Sequence, residues 1–222
     1  MAINIVQKIP TGSAIAETTG DQSSLSVTLG TTTTSGNRLV AVWANYHSST
    51  PTVSVSDSGS HAWTTPLSVG PSGFTRVYMA FTTGVITGRA SHQITFTSGG
   101  AACQIKAGVF EISGLGSGTL TPATNSGTGN STSVSSGAVS PSGTNLYIGF
   151  FGDNGGSTIT PTWSGASQQW VHTYYECRSY LTTGSQTATW TLGTTDNWAA
   201  EIMAFVEDAG GRNPVSMGFD LR

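Results

Sequence analysis

Short runs of alternating apolar and polar residues, cut by Gly, Asn, Asp or Pro at intervals of about 8–12 positions, recur along the chain. No segment carries a helical period of apolar residues. Leu25-Ser26-Val27-Thr28-Leu29 alternates strictly, which puts Leu25, Val27 and Leu29 on one face of a strand. Pro51 to Ser56 alternates again and stops at Asp57-Ser58-Gly59, a turn built on Asx and Gly chemistry. Trp63 to Val69, Arg76 to Phe81, Gln93 to Thr97 and Cys103 to Ile112 read as further strands, with Pro66 marking an edge or bulge. The first ten residues alternate like an edge strand, with Ile3, Ile5 and Val6 as its apolar side chains.

Two runs depart from alternation. Leu39 to Ala44 follows Ser35-Gly36-Asn37-Arg38, and Leu146 to Phe151 follows Ser142-Gly143-Thr144-Asn145; each is almost continuously apolar, as a strand buried on both faces must be. Each therefore reads as the centre of a sheet, and the two as equivalents. Leu39 and Leu146 lie 107 residues apart, as do Trp63 and Trp170. Thr82-Thr83-Gly84 recurs 100 positions on as Thr182-Thr183-Gly184, and Phe96 and Phe110 match Trp190 and Phe205 at 94 and 95. An ordered series of aromatic anchors at nearly fixed offset predicts a duplication. The expected fold is an all-β, antiparallel, jelly-roll-like sandwich over residues 1–208, in two similar halves of about 100 residues (1–116 and 117–208), with two tandem small sandwiches as the alternative. Gly114 to Gly129, all but devoid of side chains to bury, reads as a surface loop or linker between them.

Composition narrows the partners. Of the 222 residues only 9% are charged, against about 25% in an average soluble protein, while 29 are Gly, so the surface is hydroxyl and amide in character. Net charge is −3 with 8 Lys and Arg, which speaks against nucleic acid as a partner. No run reaches the roughly 20 apolar residues of a membrane-crossing helix, and the N-terminus has neither the basic nor the apolar region of a secretion signal. The Asn130-Ser131-Thr132 sequon is accordingly without expected use. Cys103 and Cys177 are too far apart for a zinc site and read as half-buried thiols.

Candidate chemistry is sparse. Hydrolytic sandwiches need two carboxylates held close together; Glu111 and Glu201 fall on strands that the duplication nearly superimposes, and read as solvent-facing or edge charges. Asp57 and Asp153 read as turn formers. His47, His61, His92 and His172 have no metal-type spacing, and Gly152-Asp153-Asn154-Gly155-Gly156 lacks the acidic repeat of a calcium loop. No catalytic set, metal site or cofactor is expected. Of the six Trp, Trp43, Trp63, Trp170 and Trp190 read as packing residues, and Trp163 and Trp198, next to loops, as stacking surfaces for a glycan.

The run Ser35 to Trp43, then Thr50-Pro51-Thr52-Val53-Ser54-Val55-Ser56-Asp57-Ser58-Gly59, then Ala62-Trp63, resembles a β-sandwich module of tailed-bacteriophage virion proteins, which also occurs in bacterial surface proteins. The likeness lies in strand and turn style over most of residues 25–206. It implies a structural or adhesive role with no catalytic residues to carry over, and the missing secretion signal favours a virion protein made in the host cytoplasm. The expected function is a non-enzymatic capsid decoration or accessory protein, present in many copies or as a homo-oligomer. It would attach to other virion proteins, the major capsid protein above all, through Ile3, Ile5 and Val6 at one end. At the other, an extended arm over 209–222 presents Arg212, Pro214, Val215, Met217, Phe219 and Leu221 after a Gly-Gly hinge. The alternative is a carbohydrate- or receptor-binding module of a tail fibre or tail tip. Neither reading involves nucleic acid or a membrane.

Overall fold

The computed structural model describes residues 2–46, 52–65, 67–70, 75–99 and 102–207. Every regular element among them is a strand: β1 (Asn4–Ile9), β2 (Ala16–Glu17), β3 (Ser24–Thr28), β4 (Arg38–Tyr46), β5 (Thr52–Asp57), β6 (Leu67–Val69), β7 (Thr75–Phe81), β8 (Gln93–Gly99), β9 (Gln104–Ser113), β10 (Ala123–Val139), β11 (Thr144–Asp153), β12 (Ile159–Pro161), β13 (Ser167–His172), β14 (Tyr175–Thr183) and β15 (Gln186–Val206). All strand pairings are antiparallel. One large sheet runs β1-β9-β4-β7-β6, a second β10-β15-β11-β14-β13, and a small third sheet β3-β8-β5.

The two large sheets have the same layout, strand for strand. The small sheet also has its counterpart, made differently. The β10–β15 register jumps between Ser131↔Asp196 and Ser133↔Thr191, and Asn125 Nδ2 donates to the Ala138 carbonyl at 2.9 Å, so the two arms of β10 lie over each other. The folded-over arms of β10 and β15, with β12 paired to β15 at Ile159↔Leu192, form the second small layer. The molecule is thus four layers thick: each half is a sandwich, and the two meet through their large sheets.

The apolar runs of β4 and β11 follow from this position. Val40, Val42 and Ala44 face the other half while Leu39, Ala41 and Trp43 face the small sheet; in β11, Leu146, Ile148 and Phe150 face inward and Tyr147 and Phe151 outward. Both faces of each strand are buried, so no position can be polar until its end. These faces also correct the sequence alignment. Val40 lies opposite Phe81 and Phe110, and Leu146 opposite Leu181 and Phe205. The equivalent of Leu146 is therefore Val40, 106 positions back; the offset of 107 pairs residues on opposite faces, because a slip of one residue turns a strand over. Trp63 likewise corresponds to Trp163, not Trp170. Trp63 and Trp163 each pack on the outer core of their own half and donate an indole N–H, to Asp57 Oδ2 at 2.6 Å and Gln186 Oε1 at 3.1 Å.

Trp170 joins the halves. It projects from β13 into the shared core, fully buried, with Phe110 of the first half 4.5 Å away between ring centroids. Its indole N–H donates to the Pro10 carbonyl at 2.8 Å, and Lys8 Nζ lies 5.4 Å from the ring while donating to the Gln169 carbonyl. Gly108 of β9 lets the ring lie flat: a Cβ there would come within 2.6 Å of it. The backbone bond from Val171 to the Ser13 carbonyl, 2.7 Å, extends the clamp.

Three further expectations change. The N-terminal strand is consumed within the chain: β1 pairs with β9, Ile3 is buried in the shared core and Ile5 packs against it, leaving Val6, 45% exposed, as the apolar side chain of the three still at the surface. The Gly/Ser/Thr stretch to Gly129 is not all linker, since β10 begins at Ala123; its small residues let Trp198 press onto the strand, where a Cβ on Gly129 would lie 2.6 Å from the indole. The preceding Gly116 and Gly118 carbonyls accept from the guanidinium of buried Arg38. Cys103 and Cys177 are free and fully buried, not half-buried. The arm over 209–222, with Arg212, Pro214, Val215, Met217, Phe219 and Leu221, lies outside the described residues.

Truncating the indole that bridges the halves should cost about 3–5 kcal/mol in Trp170→Ala, and Gly108→Ala about 1–3 kcal/mol through overpacking. Thermal unfolding of both variants measures this; a Gly108→Ala protein as stable as the parent would contradict the packing described.

Candidate functional site

Central strands of both halves end at the same place. Tyr46, the last residue of β4, lies opposite Thr75 at the start of β7 and Gln104 at the start of β9. Asp153 closes β11, and Tyr175 opens β14 directly after Tyr174 in the preceding turn. The ends are tied across the seam by Thr75 Oγ1, which donates to the Asp153 carbonyl at 2.8 Å. Between them lies a cleft of about 370 Å³, lined by these residues with Asp21, Lys106 and Asn154. Strands deliver backbone ends here with rigid geometry, and the loops are left to line the mouth, which is where sandwiches commonly carry their sites.

The electrostatics are unusual for a chain with so few charges. Asp153 is fully buried; its Oδ1 accepts from Gly156 N at 3.3 Å, and its Oδ2 has no hydrogen-bond partner. Burial, reinforced by the negative charge of Asp196, pushes its pKa up to about 7. Burial also drives the Tyr175 hydroxyl up to about 12 and lowers Lys106, whose ammonium is held by Glu17. His172, 3.6 Å from Glu17, stacks on Tyr174 at 5.6 Å and lies tilted against Tyr175 at 5.9 Å; its pKa is lowered by burial and by the charge on Lys106. Tyr46 and Tyr174 remain 49% and 38% exposed at the mouth.

A second cluster forms below the β5 turn. His61 Nδ1 and His92 Nε2 both approach Asp57 Oδ1, at 2.9 and 3.0 Å, and these three residues alone among the described ones group as a metal site would. They do not fit one. Thr87 N–H donates to His61 Nε2 at 3.0 Å, so the proton of a neutral ring sits on Nδ1, the nitrogen that would have to bind the ion. His92 Nδ1 meets Thr33 Oγ1 at 3.1 Å, giving a hydroxyl–imidazole–carboxylate order, but Thr33 and His92 are buried and a nucleophile there has no access to substrate. The cluster is architectural. Burial works to raise the Asp57 pKa, yet hydrogen bonds from His92, Trp63, His61 and Gly59 together outweigh it and hold the carboxylate below its ordinary value.

The residues singled out from sequence lie elsewhere. Trp163 and Trp198 are 5% and 7% exposed, inside the outer core of the second half; their ring faces are covered, and they cannot stack on a glycan. Glu111 and Glu201 are both buried, contrary to the solvent-facing reading, and share no partner. Glu111 accepts from Thr34 N, Asn37 Nδ2 and Gln7 Nε2 at 2.8, 2.6 and 2.5 Å, pinning the turn that feeds β4. Glu201 lies between the halves with Oε2 unpartnered, and burial raises its pKa well above the usual value. The Gly152–Gly156 stretch is a turn closed by Asp153, as its composition suggests. His47 lies outside the described residues. Sequence reasoning missed Tyr46, Tyr174, Gln104, Lys106 and Asp21; the one local signal was the aromatic cluster His172-Thr173-Tyr174-Tyr175 in a turn.

No protein-family model matches the chain, and no curated protein does. Among solved structures, oxalate decarboxylase from Bacillus subtilis at pH 4.6 and a mutant of the same enzyme align over 94% of this chain and 77% and 78% of theirs, at 9% identity and a TM-score of 0.20. A likeness at that level carries no argument about fold or activity.

The two buried aspartates should tilt stability in opposite directions with pH. Asp153, with a folded pKa of about 7 against about 3.9 unfolded, keeps a proton in the folded state that the unfolded chain releases. Stability therefore falls as pH rises from about 4 to about 7. Asp57 contributes stability above its unfolded pKa that is lost as pH falls through the depressed folded value. Melting temperatures across this range should show the neutral-side slope reduced in Asp153→Asn. Asp57→Asn should lose about 1–3 kcal/mol at neutral pH and show a smaller acid loss. An unchanged slope in Asp153→Asn would contradict the assignment.

Proposed function

We propose that the chain is a non-enzymatic structural protein of a tailed-bacteriophage particle, of the capsid decoration or accessory kind. The observation that carries this reading is the back-to-back double sandwich. The apolar faces of both large sheets are spent on each other, which yields a stiff body with a sparsely charged exterior and leaves attachment to the segment after Glu207. In that segment Val215, Met217, Phe219 and Leu221 alternate with other residues, the spacing by which an added strand sends successive side chains into pockets along a sheet edge. In the N-terminal edge strand Ile3 and Ile5 are packed at home, which leaves Val6 as its side chain available for contact. The partners are other virion proteins, chiefly the major capsid protein, with many copies per particle and no nucleic acid or membrane surface.

The cleft between the halves favours a second reading, a carbohydrate- or receptor-binding module of a tail fibre or tail tip, because two exposed tyrosines border one polar recess.

Deleting residues 209–222 should abolish incorporation into particles while leaving the melting temperature of the body unchanged. Full occupancy by the truncated protein on purified particles would overturn the decoration reading.

A further inference from the structure

We propose that the cleft at the end of the seam binds a neutral saccharide, with Tyr46 and Tyr174 as its stacking surfaces and Asp21, Gln104 and Asn154 as its hydrogen-bonding groups. The inference deepens the second reading above and rests on it, moving the glycan from the buried Trp163 and Trp198 to a site assembled from both halves.

Three observations converge. Among the large apolar side chains exposed in the described residues are two tyrosines, from different halves, that stand at the mouth of one cleft. An aromatic ring offers its face to the C–H surface of a pyranose while its hydroxyl stays wet, a combination suited to an amphipathic ligand. The recess between the rings carries amide and carboxylate groups, which match the paired donors and acceptors of sugar hydroxyls, and its volume of about 370 Å³ lies within the range of small-molecule sites, about 300–1,000 Å³. Finally, the charge pattern selects among sugars. The lysine in the lining, Lys106, is already paired with Glu17, and Asp21 is acidic, so a carboxylated sugar meets a negative charge and no free cation among the described lining residues.

The walls are held before any ligand arrives. Thr75 and Asp153 are bonded across the seam, Asp153 N donates to the Tyr174 carbonyl at 2.9 Å, and Tyr174 is braced by the His172 ring. A preformed site of this kind loses little conformational freedom on binding.

Saturation-transfer NMR on the full chain, with glucose, galactose, N-acetylglucosamine, rhamnose and sialic acid at millimolar concentration, tests the proposal. At least one neutral sugar should receive saturation, and its affinity should fall by about tenfold in both Tyr46→Ala and Tyr174→Ala. Leu181→Ala, which removes an exposed apolar side chain away from the cleft, should leave binding unchanged; the melting temperature of each variant reports that it is folded. Transfer to no neutral sugar, preference for sialic acid, or equal loss in Leu181→Ala would overturn the assignment. Particle incorporation is read separately, so failure here leaves the decoration reading standing, and failure there leaves the cleft standing.

Discussion

The architecture depends on one indole. Trp170 leaves the edge strand of one half and lies between Phe110, Gly108 and the Lys8–Pro10 segment of the other. A sheet that is apolar on both faces needs cover on both, and in each half the small layer covers only the outer face. The inner faces must be covered by each other, and Trp170, with the Phe81–Phe205 edge contact at 5.7 Å, fills the space that remains between two twisted sheets. The two similar halves therefore form one body with a shared core and not two beads. Gly108 is the counterpart of that plug: without its bare backbone the indole has nowhere to lie.

The same juxtaposition creates the cleft. Where β4 and β11 run out, the shared core ends and polar residues begin, with Tyr46 and Asp153 as the terminal residues of equivalent strands. The seam is tied there by a threonine hydroxyl and not by apolar packing, so the recess stays open and polar. Burial of Asp153 and Glu201 between the halves follows from the packing as well, and both carboxyls are pushed towards the neutral form because water has been excluded from the seam. By contrast, Asp57 is buried among donors and stays ionised. The carboxyls differ in what surrounds them: Asp57 accepts from four donors, whereas Asp153 and Glu201 each keep a buried oxygen without one.

Much of the fold was legible because burial on two faces leaves a strong mark: the apolar runs of β4 and β11, the alternation of β3, β5 and β8, and the existence of a repeat could all be read from the residues. Register was not. The matching of Leu39 to Leu146 and Trp63 to Trp170 used residue identity, whereas equivalence in a sheet is set by which face a side chain occupies, and an odd shift exchanges the faces. β10 was hidden because a strand whose neighbour's tryptophan rests on it needs glycine and serine, the composition of a loop. The buried roles of Glu111 and Glu201 depend on partners from distant strands. The cleft was least legible of all: Asp21, Tyr46, Gln104, Asp153 and Tyr174 carry no common spacing and come together only when two sheets stack.

If the halves are locked through a shared core, they must unfold together. Hydrogen exchange followed by mass spectrometry along a denaturant series measures this for β4 and β11 separately in the intact protein. The account predicts that peptides covering the two strands lose protection at the same denaturant concentration. Loss of protection in one half while the other stays closed would show two independent sandwiches and contradict it.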